Sequence, residues 1–370
     1  MIFKCDRDDL INAIKCVSKA IPAKHNVTSL EGVLFETYKN ELYITGYDLE
    51  ICITKTIKCD VLNEEYGEIV ATPRLLSNVL KTMPKGLIEF SISEYTLTIS
   101  KGKREYSIPV ISGAEYPSLP EIMDNKKTTI YTDRPTLNDL ISNTIYAVST
   151  NDAKPIMTGE AFEVDGDGLH VMACDGFRMA VATAKNKFNG HILFIVPQRA
   201  LKEVMGNLGK ESQTEWRINL DDKFVEFECG DFSIITRLIE GTPHNWRTSI
   251  PSSCSTYITV NKSDLVEVCK SASLLLNDRN KCPLKLNIKN DELEFNIGTA
   301  IGKFKDVVPI KKNGEDLEIG FNTKYFKEAI NAVQTTIMKI EFNGSTKQVV
   351  IKDSGTVSTI HIVMPVQLKR

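Results

Sequence analysis

A single pattern occurs three times in the 370-residue chain, and this repeat constrains the fold more than any other feature of the sequence. Each copy begins with a short extended run that leads into apolar residues at helical spacing. The first helical series of the three copies start at Leu10, Leu137 and Leu265, and the helix of the middle copy is predicted at residues 135–149. Because the two intervals are almost equal, at 127 and 128 residues, the chain is predicted to consist of three copies of one unit.

A second helical series repeats with the same regularity. Its copies start at Leu76, Leu201 and Phe326. Both intervals are 125 residues. Pro73 and Pro197 are predicted to open the first two copies, since the first turn of a helix does not need the N–H that proline lacks. Asn322 is predicted to cap the third copy. The caps predicted for the first helices are Asp6, Asp133 and Ser263.

Alternating apolar and polar runs fill the rest of each copy and predict antiparallel strands. Hairpins are expected at residues 42–57, 169–183 and 293–308, with turn residues at 165–168 and 289–291. Further strands are expected after each second helix. The predicted fold class is therefore α+β, with three repeated domains that each place two helices on antiparallel sheet. Proline-bearing connectors set the predicted domains at residues 1–124, 126–250 and 252–370.

The second helix of every copy is basic, although the whole chain carries a net charge of −3. The helices predicted at residues 73–85, 197–210 and 322–333 have net charges of +3, +2 and +1. This recurrence favours a polyanion that is bound along the helices through its phosphate charge, without readout of a base sequence. Solvated helix faces are the alternative, and they would explain any one of these helices taken singly.

The width of a helix limits what such surfaces can enclose. Six helices of ~10 Å width, placed side by side in a closed ring, would leave a hole of roughly 9 Å, which is too narrow for a DNA duplex. Twelve helices would leave a hole of roughly 28 Å, which admits a duplex with its water. A ring of this kind around DNA therefore requires two chains.

Sequence patterns of catalysis, metal binding and membrane insertion are missing. The five histidines have no ligand spacing, the nine cysteines form no C-x-x-C pair, and neither a phosphate-binding loop nor a nucleophile elbow is found. We therefore expect a chain that is not an enzyme and that needs no cofactor or metal. Because no apolar run approaches ~18 residues and the start lacks the layout of a secretory signal, we expect a reduced protein in the cytoplasm.

Four motifs connect the chain with a known family. They are Ala173-Cys174-Asp175-Gly176-Phe177-Arg178-Met179-Ala180-Val181, Leu238-Ile239-Glu240-Gly241, Gly320-Phe321-Asn322 with Tyr325, and Ile362-Val363-Met364-Pro365-Val366-Gln367-Leu368. Together with the triple repeat, they make the chain resemble the beta subunit of bacterial DNA polymerase III, the sliding clamp, along nearly its whole length. The resemblance implies a head-to-tail homodimer that forms a six-domain ring, with helices inside and sheets outside.

The resemblance also implies a function and a set of partners. The ring would be loaded onto primed DNA by an ATP-driven clamp loader and would tether the replicative polymerase as a processivity factor, in association with the nucleoid. Tethering replaces rebinding from solution by an intramolecular event at high effective concentration. The partners would be double-stranded DNA of any sequence, the polymerase alpha subunit, the clamp loader, and mismatch-repair and translesion proteins that carry clamp-binding peptides.

In this family, partner peptides with Leu and Phe anchors bind a groove between the second and third domains. The residues matched to one wall are Met157, Cys174, Gly176, Phe177, Arg178 and Met179. Those matched to the other wall are Asn322, Tyr325, Ile362, Val363, Met364, Pro365, Val366, Gln367 and Leu368. Simpler interpretations stay open: a strand that ends at Pro365, a tight turn at Asp175-Gly176, and an ordinary surface ion pair of Arg178.

Two further surfaces follow from the same resemblance. The positions matched to DNA contacts are Lys24, Arg74, Lys81 and Lys154, and charge alone adds Arg199 and Lys202. A solvated side chain is the alternative for each of them. The ring joint is matched by Tyr106 and Ile108 of the first domain and by Leu274 and Leu275 of the third. The run of three leucines at 274–276 favours an interface over a plain core.

The chain departs from the family pattern at two places. Residues 242–248, Thr-Pro-His-Asn-Trp-Arg-Thr, replace the usual aromatic-Pro-Asp run, so this edge of the groove has no residue-by-residue match. Residues 298–303, Gly-Thr-Ala-Ile-Gly-Lys, replace an acidic cluster, which predicts a ring joint that depends little on salt. A three-domain scaffold that binds peptides but does not encircle DNA is the alternative function, and it leaves the basic helices as a coincidence.

Overall fold

The computed structural model describes residues 1–63, 66–151, 153–208, 215–276, 282–354 and 357–368. Within it, the chain forms two compact units. Unit one consists of residues 1–132 and 202–238, and unit two consists of residues 133–201 and 239–370. The middle copy of the repeat therefore contributes to both units.

The first copy contains both predicted helices. They are α1 (Arg7–Val17) and α2 (Pro73–Thr82). Its strands are β1 (Ile2–Asp6), β2 (Val33–Tyr38), β3 (Glu41–Tyr47), β4 (Ile51–Lys58), β5 (Asp60–Val61), β6 (Gly67–Ala71), β7 (Leu87–Ser93), β8 (Thr96–Lys101), β9 (Arg104–Pro109) and β10 (Ile111–Ser112). Asp6 caps α1 through two backbone N–H groups of the first turn, and Pro73 is the first residue of α2, as predicted. Helix α2 ends before residue 85 because Met83 is extended ahead of Pro84.

The middle copy follows the same order. Its helices are α3 (Arg134–Ser142) and α4 (Gln198–Gly206). Its strands are β11 (Thr128–Asp133), β12 (Gly159–Asp165), β13 (Gly168–Cys174), β14 (Arg178–Ala184), β15 (Ile192–Pro197), β16 (Glu215–Leu220), β17 (Phe224–Cys229) and β18 (Phe232–Arg237). Asp133 caps α3 as predicted, through the N–H of Thr136 at 2.8 Å.

Two boundaries predicted for the middle copy are wrong. Helix α3 ends at Ser142 and does not reach residue 149, and a separate 3-10 helix follows it at Ile145–Ala147. Pro197 is the last residue of β15 rather than the first residue of α4. The second helix was also predicted to extend to Lys210, which lies outside the described residues.

The third copy completes the chain. Its helices are α5 (Lys262–Ser273) and α6 (Thr323–Ala332). Its strands are β19 (Thr256–Asn261), β20 (Leu284–Lys289), β21 (Glu292–Thr299), β22 (Gly302–Pro309), β23 (Lys311–Gly314), β24 (Leu317–Phe321), β25 (Ile337–Phe342), β26 (Val349–Ser354) and β27 (Ser358–Val363). Ser263 does not act as the cap, because α5 starts one residue before it, and the Ser263 hydroxyl donates to the carboxylate of Asp264 at 3.0 Å. Asn322 caps α6 as predicted.

Unit one contains two antiparallel sheets. The smaller has the strand order β5-β1-β7-β8-β9, and the larger has the order β10-β6-β2-β3-β4-β18-β17-β16-β11. Strand β4 of the first copy pairs with β18 of the middle copy, from Ile51 opposite Thr236 to Lys55 opposite Phe232. The larger sheet therefore continues from one copy of the repeat into the next.

Unit two repeats this arrangement. Its larger sheet has the order β15-β12-β13-β14-β27-β26-β25-β19-β23, and its smaller sheet has the order β22-β21-β20-β24. Strands β14 and β27 join the middle and third copies, from Arg178 opposite Val363 to Thr183 opposite Ser358. The predicted hairpins are present in all three copies as β3–β4, β13–β14 and β21–β22. These features confirm the α+β class.

Candidate functional site

The turn between β13 and β14 presents the first predicted wall of the groove. The Asp175 side chain accepts hydrogen bonds from the backbone N–H groups of Phe177 at 2.9 Å and Arg178 at 3.0 Å. Gly176 has a φ of +90°, a conformation that favours glycine. The Phe177 side chain consequently projects outward and is 60% exposed. The tight turn considered for Asp175-Gly176 is thus present, and it exposes the aromatic ring of Phe177.

The second predicted wall is an extended segment after β27. The N–H of Met364 donates to the carbonyl of Phe177 at 2.8 Å, and the N–H of Val366 donates to the carbonyl of Gly320 at 2.8 Å. The Leu368 side chain occupies the space beside Gly320 that a Cβ would fill. Residues 364–368 are therefore fastened at both ends within unit two.

Helix α6 contributes the aromatic part of this surface. Asn322 accepts from the N–H of Lys324 at 3.0 Å, which fixes the start of the helix. Phe321 and Phe326 are fully buried and stack with ring centroids 5.0 Å apart. Tyr325 is held between these anchors and stacks on Phe177, with centroids 6.0 Å apart. Unit two thereby brings the Phe177 and Tyr325 motifs together.

Arg178 is not part of the open surface, because its side chain is only 7% exposed. Its guanidinium pairs with Asp175, with 3.0 Å between Nε and Oδ2, and with Glu328. It also lies over the rings of Tyr325 at 4.5 Å and Tyr146 at 5.2 Å. Arg178 is therefore a buried link between the turn and α6, rather than a surface ion pair.

The predicted groove residues divide into three groups by exposure. The exposed members are Gly176, Phe177, Met364, Val366 and Gln367. The half-buried members are Met157, Cys174, Asn322, Tyr325, Pro365 and Leu368. The buried members are Arg178, Met179, Ile362 and Val363. Met179 and Ile362 belong to one buried apolar cluster, with Cys174 packed against it. The cluster forms a floor, and the exposed residues form a rim.

Two contributors to this surface were not identified from the sequence. Tyr146 and Glu328 both contact Arg178, although each is far from it along the chain. Glu328 is the only acidic residue of the basic helix α6, and this could have indicated that it forms an ion pair with a particular basic side chain. Tyr146 lies in the stretch that was predicted as helix, so its contact could not be inferred.

His361 lies on β27 below this surface and is fully buried. Its Nδ1 is 3.1 Å from the hydroxyl of Tyr146. Burial lowers the pKa of the His361 imidazole to about 4, and Lys262 acts in the same direction while Asp353 opposes it. The ring is therefore neutral in the folded protein at pH 7.

We expect the stability of the protein to fall in mild acid because of His361. Between pH 6.5 and pH 4 the unfolded chain binds a proton that the folded ring does not. As far as it depends on His361, the free energy of unfolding is therefore highest above pH 6.5 and falls toward pH 4. The total loss is about 3 kcal/mol. In denaturant unfolding across this range, the free energy of unfolding should fall less with decreasing pH for His361→Gln, whereas His244→Gln, on an exposed side chain, should match the wild type. An equal fall for wild type and His361→Gln would contradict this assignment.

Residues 242–248, which had no family match, are anchored to the sheet by two side chains. Trp246 Nε1 donates to Glu163 at 3.0 Å. Arg247 donates to Glu163 at 2.7 Å and to Asp165 at 2.6 Å, and it also lies 4.3 Å above the Trp246 ring. Gln348 donates to the carbonyl of Ser249 at 3.2 Å. This edge of the groove is thus fixed by contacts that sequence spacing did not indicate.

All six predicted DNA-facing residues are exposed. They are Lys24, Arg74, Lys81, Lys154, Arg199 and Lys202. On α2, Arg74 and Lys81 are seven residues apart and so share one face, while the opposite face buries Leu76 and Leu80. The basic charge of this helix is therefore directed to solvent rather than used within unit one.

The residues predicted for the ring joint lie at a sheet edge in unit one and at the end of a helix in unit two. Strand β9, with Tyr106 and Ile108, is an edge of the five-stranded sheet in unit one, and β22 is an edge of the four-stranded sheet in unit two. Ile108 is only 6% exposed, and the Tyr106 hydroxyl is 3.0 Å from that of Thr82. Leu274, at the end of α5, is 81% exposed, and Leu275 lies against Gly302. Leu274 is thus an apolar side chain without cover in unit two.

Sequence models of one family match the chain in three consecutive parts. They describe the DNA polymerase III beta subunit and cover its N-terminal domain at residues 1–120, its central domain at 132–243 and its C-terminal domain at 247–367. The chain belongs to the family of DNA polymerase III beta subunits. As a beta subunit it contains three clamp domains, which confirms the family recognised from the motifs.

Individual beta subunits match over their full length. The beta sliding clamps of Synechococcus elongatus and Bacillus subtilis are each 27% identical to this chain over 99% of it, and over 99% and 100% of their own lengths. The crystal structure of the Bacillus subtilis clamp, 25% identical, gives a TM-score of 0.92 and covers 100% of both chains. That of a putative beta subunit from Eubacterium rectale, 26% identical, gives 0.91 and covers 99% of both. Sliding clamps are non-catalytic processivity subunits, so the prediction that this beta subunit is not an enzyme is confirmed.

The described residues contain neither a membrane-spanning helix nor a cluster of metal-binding side chains. Over these ranges, no helix is long and apolar enough to cross a membrane. Within the same part of the chain, no group of three or more His, Cys, Asp or Glu side chains is arranged to hold a metal ion.

Proposed function

We propose that this chain is a processivity factor that closes into a ring around duplex DNA and tethers a DNA polymerase to it. The observation that carries this proposal is the match to all three domains of the beta subunit family, in order, over nearly the whole chain. The domains are proposed at residues 1–124, 126–250 and 252–370. Two chains, joined head to tail, would provide six domains and twelve helices.

The groove in unit two is proposed as the site where partners dock by short peptides. Its buried floor of Met179 and Ile362 suits apolar anchors, and the exposed Phe177 and Met364 can adapt to different side chains. Its partners would be the polymerase alpha subunit, the clamp loader, and mismatch-repair and translesion proteins with clamp-binding peptides. One shared groove makes these partners compete for each protomer.

Contact with DNA is proposed to be weak and independent of sequence, and the protein is proposed to associate with the nucleoid. Lys24, Arg74 and Lys81 of unit one are solvent-directed, as a phosphate contact requires. Retention by enclosure needs no strong grip, and mobile side chains allow the ring to slide. Arg199, Lys202 and Lys154 would add to this surface.

Loading onto closed and open DNA tests the proposal. The protein is loaded onto a nicked circular plasmid with a clamp loader and ATP, and the complex is separated by gel filtration. We expect the protein to stay on the circle and to leave after the plasmid is cut once. Equal retention on circular and linear DNA would mean that the protein binds DNA directly and does not enclose it. Retention on neither would favour the peptide-binding scaffold.

We expect the dimer to depend little on salt. Strand β9 carries Arg104 and Glu105, which cancel, and Leu274 supplies apolar surface at the opposite edge. Screening weakens charge pairs but leaves apolar burial almost unchanged. The dissociation constant of the dimer, measured by analytical ultracentrifugation, should therefore change by less than about threefold between 0.1 and 0.5 M NaCl. A steep weakening with salt would contradict an apolar joint.

A further inference from the structure

A small cavity lies beside the groove in unit two, under the segment 242–247. It has a volume of about 180 Å³, and its apolar walls are Ala161, Met172 and Leu193. Its polar side is provided by Glu163, Asn245, Trp246 and Arg247, together with His170 and His244. Pockets that hold whole small-molecule ligands measure ~300–1,000 Å³, so this cavity has room for one long side chain and not for a nucleotide.

The cavity and the groove share a floor. Ala161 and Met172 belong to the same buried apolar cluster as Met179 and Ile362 of the groove, and Trp246 packs against that cluster. Along strand β13, Met172 precedes Cys174 by two residues, so both side chains point to the same face of the sheet. A peptide in the groove can thus place a neighbouring side chain in the cavity.

Charge at the cavity selects the kind of side chain. The carboxylates of Glu163 and Asp165 share the single guanidinium of Arg247, which leaves one negative charge in excess. Burial alone would raise the pKa of the Glu163 carboxyl, but hydrogen bonds from Arg247, Trp246 and His191 lower it below its ordinary value. The Glu163 carboxylate is therefore ionised at neutral pH.

Glu163 also has acceptor capacity to spare. Its Oε2 receives hydrogen bonds from Trp246 and Arg247, whereas its Oε1 receives one from His191 at 3.3 Å. A carboxylate offers about four lone-pair sites, so one remains for a further donor. An uncharged ring in the cavity would desolvate this carboxylate without compensation, whereas a cation on an apolar stem would compensate it.

We propose that this cavity is an accessory subsite for a lysine or arginine side chain of a partner peptide, adjacent to the peptide's apolar anchors. The stem of the basic residue lies along Leu193 and Met172, and its head donates to Glu163. This subsite rests on the peptide groove of the proposed function. It gives residues 242–248, where the chain departs from its family, a role in selecting partners.

A peptide panel tests the subsite. The reference is a fluorescent peptide with Leu and Phe anchors and alanine at the three positions on either side of them. Six further peptides carry one arginine each, at one of these positions. By fluorescence anisotropy, we expect at least one arginine peptide to bind the wild-type protein about fivefold more tightly than the reference. No gain above twofold at any position would overturn the subsite.

A charge reversal at the rim separates this subsite from general attraction. Leu193 is 41% exposed and makes none of the contacts that anchor Trp246 and Arg247, so Leu193→Lys adds a positive charge with little effect on folding. It should abolish the arginine advantage and leave the reference peptide unchanged. The matched control is Ile337→Lys, on a side chain that is 59% exposed, and it should keep the advantage. Loss of the advantage in both variants would overturn the subsite, whereas failure of every peptide to bind the wild type would overturn the groove itself.

Discussion

Leu274→Asp is expected to convert the dimer into a monomer of 41.4 kDa. The side chain is 81% exposed in the single chain, so the substitution costs the fold almost nothing. In the proposed head-to-tail ring the same leucine would be buried at both joints. Burial of one leucine contributes ~1.5–3 kcal/mol, so two joints lose ~3–6 kcal/mol, and the dissociation constant of the dimer should rise by about a hundredfold or more.

Sedimentation or mass photometry at submicromolar concentration measures this effect. Ile337→Asp is the matched control, because it places the same charge on another exposed apolar side chain of unit two, and it should leave the dimer intact. Leu274→Asp should also lose retention on circular DNA while it still binds partner peptides in the groove. A variant that remains dimeric would contradict the proposed joint.

Removal of residues 364–370 is expected to abolish binding of peptides with Leu and Phe anchors, with a loss of affinity of about a hundredfold or more. The segment supplies one wall of the proposed groove. Its Met364 N–H also fastens the carbonyl of Phe177, at 2.8 Å, so the opposite wall loses a support as well. Anisotropy titration of a labelled peptide provides the measurement.

A point substitution keeps this prediction testable if the truncated chain folds poorly. Phe177→Ala removes a side chain that is 60% exposed, so folding should be unaffected, and affinity should fall by about tenfold. Tyr95→Ala, at a position that is 66% exposed in unit one, is the matched control and should bind the peptide normally. Undiminished binding by both the truncated chain and Phe177→Ala would exclude this groove as the docking site.

Local features of the fold were predictable because each depends on neighbours in the sequence. Helix periodicity, the Asp6 and Asn322 caps and the hairpin turns depend on residues within a few positions. Ser263 failed as a cap because it is the second residue of α5; the N–H of Lys262, the first residue, is bonded to the carbonyl of Thr336, 74 residues away along the chain. Tertiary contacts of this kind leave no trace in local spacing.

The candidate groove was predictable only as a set of motifs. That Phe177 and Tyr325 meet follows from the pairing of β14 with β27, which no local pattern indicated. The burial of Arg178 between Tyr146 and Tyr325 is likewise a product of three distant segments. The pairing of Trp246 with Glu163 joins residues 83 positions apart, and for that reason residues 242–248 had no interpretation before the structure.

Sheet continuity between the repeats has a consequence for fragments of the protein. Residues 126–250 expressed alone would lose the partners of both β14 and β18, since β14 pairs with β27 and β18 pairs with β4. Two strand edges with unpaired N–H and carbonyl groups invite intermolecular pairing and precipitation. Although the sequence predicts three equivalent modules, the middle one pairs with strands of both neighbours. We therefore expect it to be poorly soluble as an isolated fragment.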